Sequence, residues 1–226
     1  MAHGAGGAGQ RAWRRVVLTA VAFLAVYVVA VLTEPGQRLD DEVFGLVQHL
    51  TPAALHEPLQ VLARRVLPVG AAVAGSALWL AGLWHRRWLD VLRASVVVLV
   101  ATLLSRGLRL VLPRPDHGYS YDVNTLPSTH ATTVVAVGVA VWVLWPGRRP
   151  SWLPAGLAAV VVMACQGNVV GYAHRPSDVL ASVLLVATVT GVVDLIAGRW
   201  PIARRAARAS GYPDLAVDDR DRTEGG

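Results

Sequence analysis

Six apolar runs divide the chain, at residues 16–32, 66–84, 91–112, 131–145, 152–173 and 179–197. A helix needs about 20 mostly apolar residues to cross a bilayer, so each run is a candidate span, several of them near the short limit. The fold they imply is an all-α polytopic membrane bundle of six transmembrane helices. The third run is the least pure, because it carries Arg93, Arg106 and Arg109. Composition excludes the other classes. Charged residues make up 16% of the chain and hydrophobic ones 54%, with mean hydropathy +0.46. A soluble domain carries about 25% charged residues, and a disordered chain is far less apolar. Cys165 stands alone in an apolar run, so no disulfide scaffold is possible. The pI near 10.4 would suit a nucleic-acid binder only if the charge formed one basic face. Instead the basic residues sit in small groups between apolar runs. The implied surroundings are membrane lipids, with no nucleic-acid partner.

All 21 basic residues are arginine. If the N-terminus is inside, the inner segments hold twelve of them and the outer segments seven, with Arg220 and Arg222 in the distal tail. This bias predicts both termini in the cytoplasm. Trp84, Trp88, Trp145, Trp152 and Trp200 fall near predicted span ends, as interfacial anchors do. The arginines before the first run also fit a signal peptide, but no clear small-x-small cleavage site precedes Glu34. Residues 1–15 are expected to be a disordered cytoplasmic segment, 16–198 the membrane domain, and 199–226 a basic then acidic cytoplasmic tail. Residues 34–65 are long for a loop. Val43, Leu46, Val47, Leu50, Leu55, Leu59 and Leu62 recur at helical spacing, which predicts one or two helices along the outer interface.

Three polar clusters remain, all on the predicted outer side. They are Arg106, Arg109 and Arg114-Pro115; Leu126 to His130; and His174 to Asp178. Ionisable groups at membrane depth are costly and mark function. Pro127-Ser128 fits a helix opening, with the proline in the first turn. Free N–H groups there, the helix dipole and the Ser128 hydroxyl suit an anion. Arg114 adds a planar fork for phosphate oxygens. His174 and Asp178 share a helix face at i, i+4. An aspartate holding one imidazole nitrogen leaves the other as a nucleophile, and His130 can protonate a leaving oxygen. No histidine has a second His or Cys at metal-ligand spacing, so neither metal nor cofactor is expected.

Arg114-Pro115, then Pro127-Ser128-Thr129-His130, then His174-Arg175-Pro176-Ser177-Asp178 resembles the type-2 phosphatidic-acid phosphatase superfamily, the lipid phosphate phosphatases related to vanadium haloperoxidases. The resemblance covers about residues 60–198. It implies a metal-independent lipid phosphate or diphosphate phosphatase working at the extracytoplasmic face through a phosphohistidine. His174 would be the nucleophile, Asp178 its orienting partner and His130 the general acid; Arg114 and Ser128 would hold the phosphate. The family's lysine seven residues before the Arg-Pro arginine falls on Gly107 here, and its Ser-Arg pair falls on Gly167 and Asn168. Arg106 lies closer in direction to Gly107 than Arg109 does, about 100° against about 160°, so Arg106 is expected to stand in for the lysine. Arg175 is expected to replace the charge missing at Asn168.

Other readings remain open on sequence. A phosphotransferase would use a hydroxyl in place of water. A silent relative could keep the fold without the cations that phosphoryl transfer needs. A small transporter lacks the expected repeats. Arg106 and Arg109 could snorkel to headgroups, and Asp178 could cap the last span. Tyr119 and Tyr121 read as an interfacial loop, Gln166 and Asn168 as interhelical hydrogen-bonders, and Asp194 as a partner of Arg199 or solvent. The substrate lipid and the oligomeric state are not legible.

Overall fold

A computed structural model describes residues 4–119 and 124–199. Tyr121, Trp200 and the tail from residue 201 onward lie outside the described residues. Every regular element described is helical. Helix α1 (Gly4–Val26) continues through a π-helical turn (Tyr27–Val31), and α2 (Glu34–Leu50) follows at once. Short α3 (His56–Val61), a second π-helical turn (Leu62–Val66) and α4 (Leu67–Trp84) form one apolar helical run from Ala53 to Trp84. Then come α5 (Trp88–Val111), α6 (Thr129–Leu144), α7 (Leu153–Val170) and α8 (Pro176–Arg199).

Among the described residues, five helical stretches are long and apolar enough to cross a membrane: Gln10–Val31, Ala53–Trp84, Trp88–Val111, Leu153–Val170 and Pro176–Ala197. The remaining expected span, α6, is apolar but has 16 residues, about 24 Å of helix. It is the central helix, packed against α4, α5, α7 and α8. Ala131, Thr132 and Ala136 on it are fully buried. Because α6 is short and starts late, its first turn sits recessed among longer neighbours.

Small residues set the register. On α4, a Cβ at Gly75 would stand 3.1 Å from Val137 and one at Gly82 3.4 Å from Leu144. The two pairs keep one sequence offset, so α4 and α6 run parallel. Helix α5 runs antiparallel to α6. Ser105 donates to Pro127 O at 3.3 Å and meets Thr129 Oγ1 at 3.4 Å at one end. At the other end, Arg87 donates to the carbonyls of Val143, Leu144 and Trp145, the groups a helix C-terminus leaves unpaired. At that same end Arg93 pairs with Asp194 at 2.6 Å, while the side chain of Arg199 lies outside the described residues.

Helix α2 covers the opposite end. Thr33 caps it by accepting from Gly36 N at 3.1 Å, and Gly36 passes so close to the Val29 carbonyl that no Cβ would fit. Gln48 Nε2 then donates to Val169 O at 2.9 Å and Val170 O at 3.3 Å, binding α2 to the end of α7. The expected helix within residues 34–65 is therefore present. Its second half, however, is not a separate element: residues from Ala53 onward run directly into α4.

Candidate active site

The site is built where α8 begins. Arg175 holds the cap position, its carbonyl accepting from Asp178 N at 3.0 Å and Val179 N at 3.4 Å. Asp178, three residues on, returns the bond by accepting from Arg175 N at 3.0 Å, the reciprocal arm of a capping box. Asp178 thus takes part in capping α8. The same carboxylate is wholly buried and accepts from Arg114 Nη2 at 2.7 Å, from Thr125 Oγ1 at 2.5 Å, and lies 3.3 Å from His174 Nδ1. With Nδ1 on the carboxylate, Nε2 is the nitrogen left to react. The backbone locks the two motifs together. Ser128 N donates to Asp178 O at 3.2 Å, and Ser182 Oγ bridges Asp178 O and Ser128 O at 2.9 and 3.0 Å. His174 N donates to Asn168 O at 3.2 Å, which fixes the His174 segment to α7.

Ser128 is fully buried and serves as the N-cap of α6, accepting from Ala131 N at 3.3 Å. Pro127 therefore precedes the cap, joined to Leu126 by a cis bond, and is not in the first turn as expected. His130 is exposed on that first turn.

The remaining arginines fall differently from the sequence expectation. The buried stripe of α5 runs Val91, Ala94, Val97, Ala101 and Ser105, and Arg109 continues it one turn beyond Ser105. Gly107 faces open space with no atom within 4 Å of a built Cβ, and Arg106 is exposed. Arg109 is thus the arginine that continues the buried face of α5. Arg175 is buried but turned outward: Nη1 pairs with Asp41, and the guanidinium lies 4.8 Å over the Phe44 ring. Asn168 bonds within its own helix, Nδ2 to Ala164 O at 2.7 Å, while Gln166 does reach another element at Thr51.

Three site residues escaped the sequence reading. Thr125 completes the shell of Asp178. Asp40 accepts from both Ser177 N at 2.9 Å and Ser177 Oγ at 2.6 Å, and Asp41 holds Arg175. Burial pushes the Asp40 carboxyl above the usual carboxylate range, against the lowering effect of the Ser177 hydrogen bonds. The available signal was two adjacent acids on the polar side of an amphipathic segment, which read equally as a solvated face. Among the described residues, no three His, Cys, Asp or Glu side chains converge as a metal site.

Comparison with known proteins agrees with this geometry. Residues 106–200 match the PAP2 superfamily. Decaprenylphosphoryl-5-phosphoribose phosphatases of Mycobacterium tuberculosis, from strains CDC 1551 / Oshkosh and ATCC 25618 / H37Rv, are 34% identical over 128 residues. The alignment covers 54% of this chain and 67% of each relative. The chain belongs to the PAP2 superfamily. It is thus a phosphatase, a phosphoric ester hydrolase, and its long apolar helices are those of a multi-pass membrane protein. No solved structure matches it. The PAP2 match begins at Arg106, so Asp40 and Asp41, which hold Ser177 and Arg175, lie outside the matched segment.

Proposed function

We propose that this PAP2 protein is a metal-independent phosphatase of lipid phosphates or diphosphates. It crosses the membrane six times with both termini in the cytoplasm, and it works at the extracytoplasmic face. One observation carries the mechanism: His174 Nδ1 faces a wholly buried carboxylate that Arg114, Thr125 and the Arg175 N–H hold in place. That arrangement fixes the imidazole tautomer and aims Nε2 at substrate. Nε2 attacks phosphorus, and the bond from phosphorus to the leaving oxygen breaks. His130, exposed on the first turn of α6, gives the leaving oxygen its proton. Water then attacks the phosphohistidine with His130 as base, releasing phosphate. Arg114, held on Asp178 through Nη2, brings its planar guanidinium to the transferring oxygens. Ser128 and the first turn of α6 supply further donors. The relatives' name points to a polyprenyl-linked phosphate as the substrate type.

The test is phosphate release by purified protein from phosphatidic acid, a polyprenyl phosphate and a polyprenyl diphosphate, with and without chelator. Activity should survive chelator and fall by about 10³-fold or more in His174→Ala. Acid-labile phosphate should accumulate on the parent protein and be absent from that variant. Release that His174→Ala leaves intact would refute the assignment.

A further inference from the structure

The reacting phosphate does not account for two cations beside His130. On α4, the shared offset of Gly75 with Val137 and Gly82 with Leu144 sets His130 level with Pro68. Arg64 lies four residues further toward the site end, about one turn. It is also eleven residues from Gly75, close to three whole turns, so it projects from the α6-facing side of its helix. It lies within the π-helical turn Leu62–Val66. Gly167 lets this segment press against α7, where any Cβ would collide with Leu59 O and Ala63. On the α5 side, Arg109 stands one turn beyond Ser105, which is itself level with Thr129. Neither Arg64 nor Arg109 forms an ion pair or hydrogen bond with a described residue, whereas Arg114 and Arg175 each hold a carboxylate.

By this register α4 and α5 carry Arg64 and Arg109 toward the first turn of α6, whereas His174 and Arg114 meet on Asp178 at the start of α8. Taking His174 as nucleophile and His130 as acid, as proposed above, the leaving group departs toward Arg64 and Arg109. We propose that these two arginines form a second anion subsite, which selects substrates whose leaving group carries a phosphate of its own. A lipid diphosphate and a phosphodiester-linked lipid sugar phosphate both meet that requirement, and a simple lipid phosphomonoester does not. For a diphosphate, His174 takes the terminal phosphoryl group, the bridging P–O bond breaks, His130 protonates the bridging oxygen, and the departing lipid phosphate stays in the arginine subsite until released.

Matched probes test this. Farnesyl phosphonate and farnesyl methylenediphosphonate share a lipid, resist hydrolysis, and differ by one phosphorus group. Their Kd values would be measured by calorimetry on the full chain in a maltoside detergent, which carries no phosphate. The parent should bind the diphosphonate about tenfold more tightly or better. Arg64→Gln and Arg109→Gln should each remove most of that preference, with less than about threefold change on the monophosphonate and an unchanged melting temperature. Equal losses on both probes would overturn the subsite, since the arginines would then serve the reacting phosphate. An unchanged preference in both variants would overturn it too. If anionic phospholipid added to the micelle abolished the preference, the arginines would be binding bulk headgroups and the proposal would fail. The readout is binding, so a protein that shows the preference but hydrolyses neither farnesyl phosphate nor farnesyl diphosphate would refute the phosphatase mechanism and leave the subsite standing.

Discussion

The centre of the site is one carboxylate with more donors than a surface aspartate could collect. Asp178 and Arg114 are both almost wholly buried, with side-chain exposures of 0% and 2%. A pair in such surroundings is costly to assemble, and breaking it by removing one partner costs about 3–5 kcal/mol because the other charge is left stranded. Arg114→Ala should therefore unfold at a clearly lower temperature than the parent, quite apart from any lost phosphate contact. Adding Asp178→Asn removes the stranded charge. The double variant should recover much of the lost stability while staying inactive, since His174 would lack its carboxylate. Thermal unfolding in detergent, run beside phosphate release, separates the two effects. A double variant no more stable than Arg114→Ala would mean that the ion pair is not what the arginine contributes to the fold. Arg114, Ser128, His130, His174 and Asp178 were legible because each sits in a short motif whose chemistry is local. Thr125 and Asp40 were not, because their roles depend on contacts across 53 and 137 residues of chain.

At the scale of elements, α2 is what the PAP2 match does not describe and the site nonetheless uses. Its Asp40 takes both donors of Ser177 in the first turn of α8, and its Asp41 draws Arg175 aside. Periodicity was enough to expect a helix within residues 34–65. It could not show that this helix docks by its charged residues, because an amphipathic pattern says only which face is apolar. The same limit applies to the π-helical turns, one of which holds Arg64, because they leave unchanged the apolar spacing that announces a span. The Asp40 clamp has a pH signature. Burial raises the Asp40 pKa above the ordinary carboxylate value near 3.9. The folded protein thus binds this proton more tightly than the unfolded chain. The residue's contribution is fully present below the unfolded value and is lost as pH rises through the folded one. Asparagine does not titrate. The stability gap between the parent and Asp40→Asn should accordingly shift in favour of the variant as pH rises from about 4 to about 7, followed by melting temperature. A gap that stays constant across that range would show that Asp40 is not held in a raised state.

For the whole molecule, the two ends of the bundle differ in kind. One end collects His130, His174, Asp178 and the cover of α2. The other is held by Arg87 on the last carbonyls of α6 and by the Arg93–Asp194 pair, with Arg86, Arg148 and Arg149 close by in sequence. Arginines in short loops resist translocation, which supports the proposal that the second end lies in the cytoplasm and the site faces outward. Chain geometry supports one full crossing between them: Arg64 and Trp84 are 20 residues apart on a continuous helix, about 30 Å, the thickness of the hydrocarbon layer. Glu57, above Arg64, and His85, just past Trp84, are both exposed and should lie on opposite faces of the membrane. In a Cys165→Ala background, a membrane-impermeant thiol reagent added to intact cells should label Glu57→Cys and spare His85→Cys. Opening the membrane with detergent should make both react. Labelling of His85→Cys in intact cells, with Glu57→Cys protected, would invert the protein. The phosphatase site would then face the cytoplasm, and its substrates would have to be lipid phosphates of the inner leaflet.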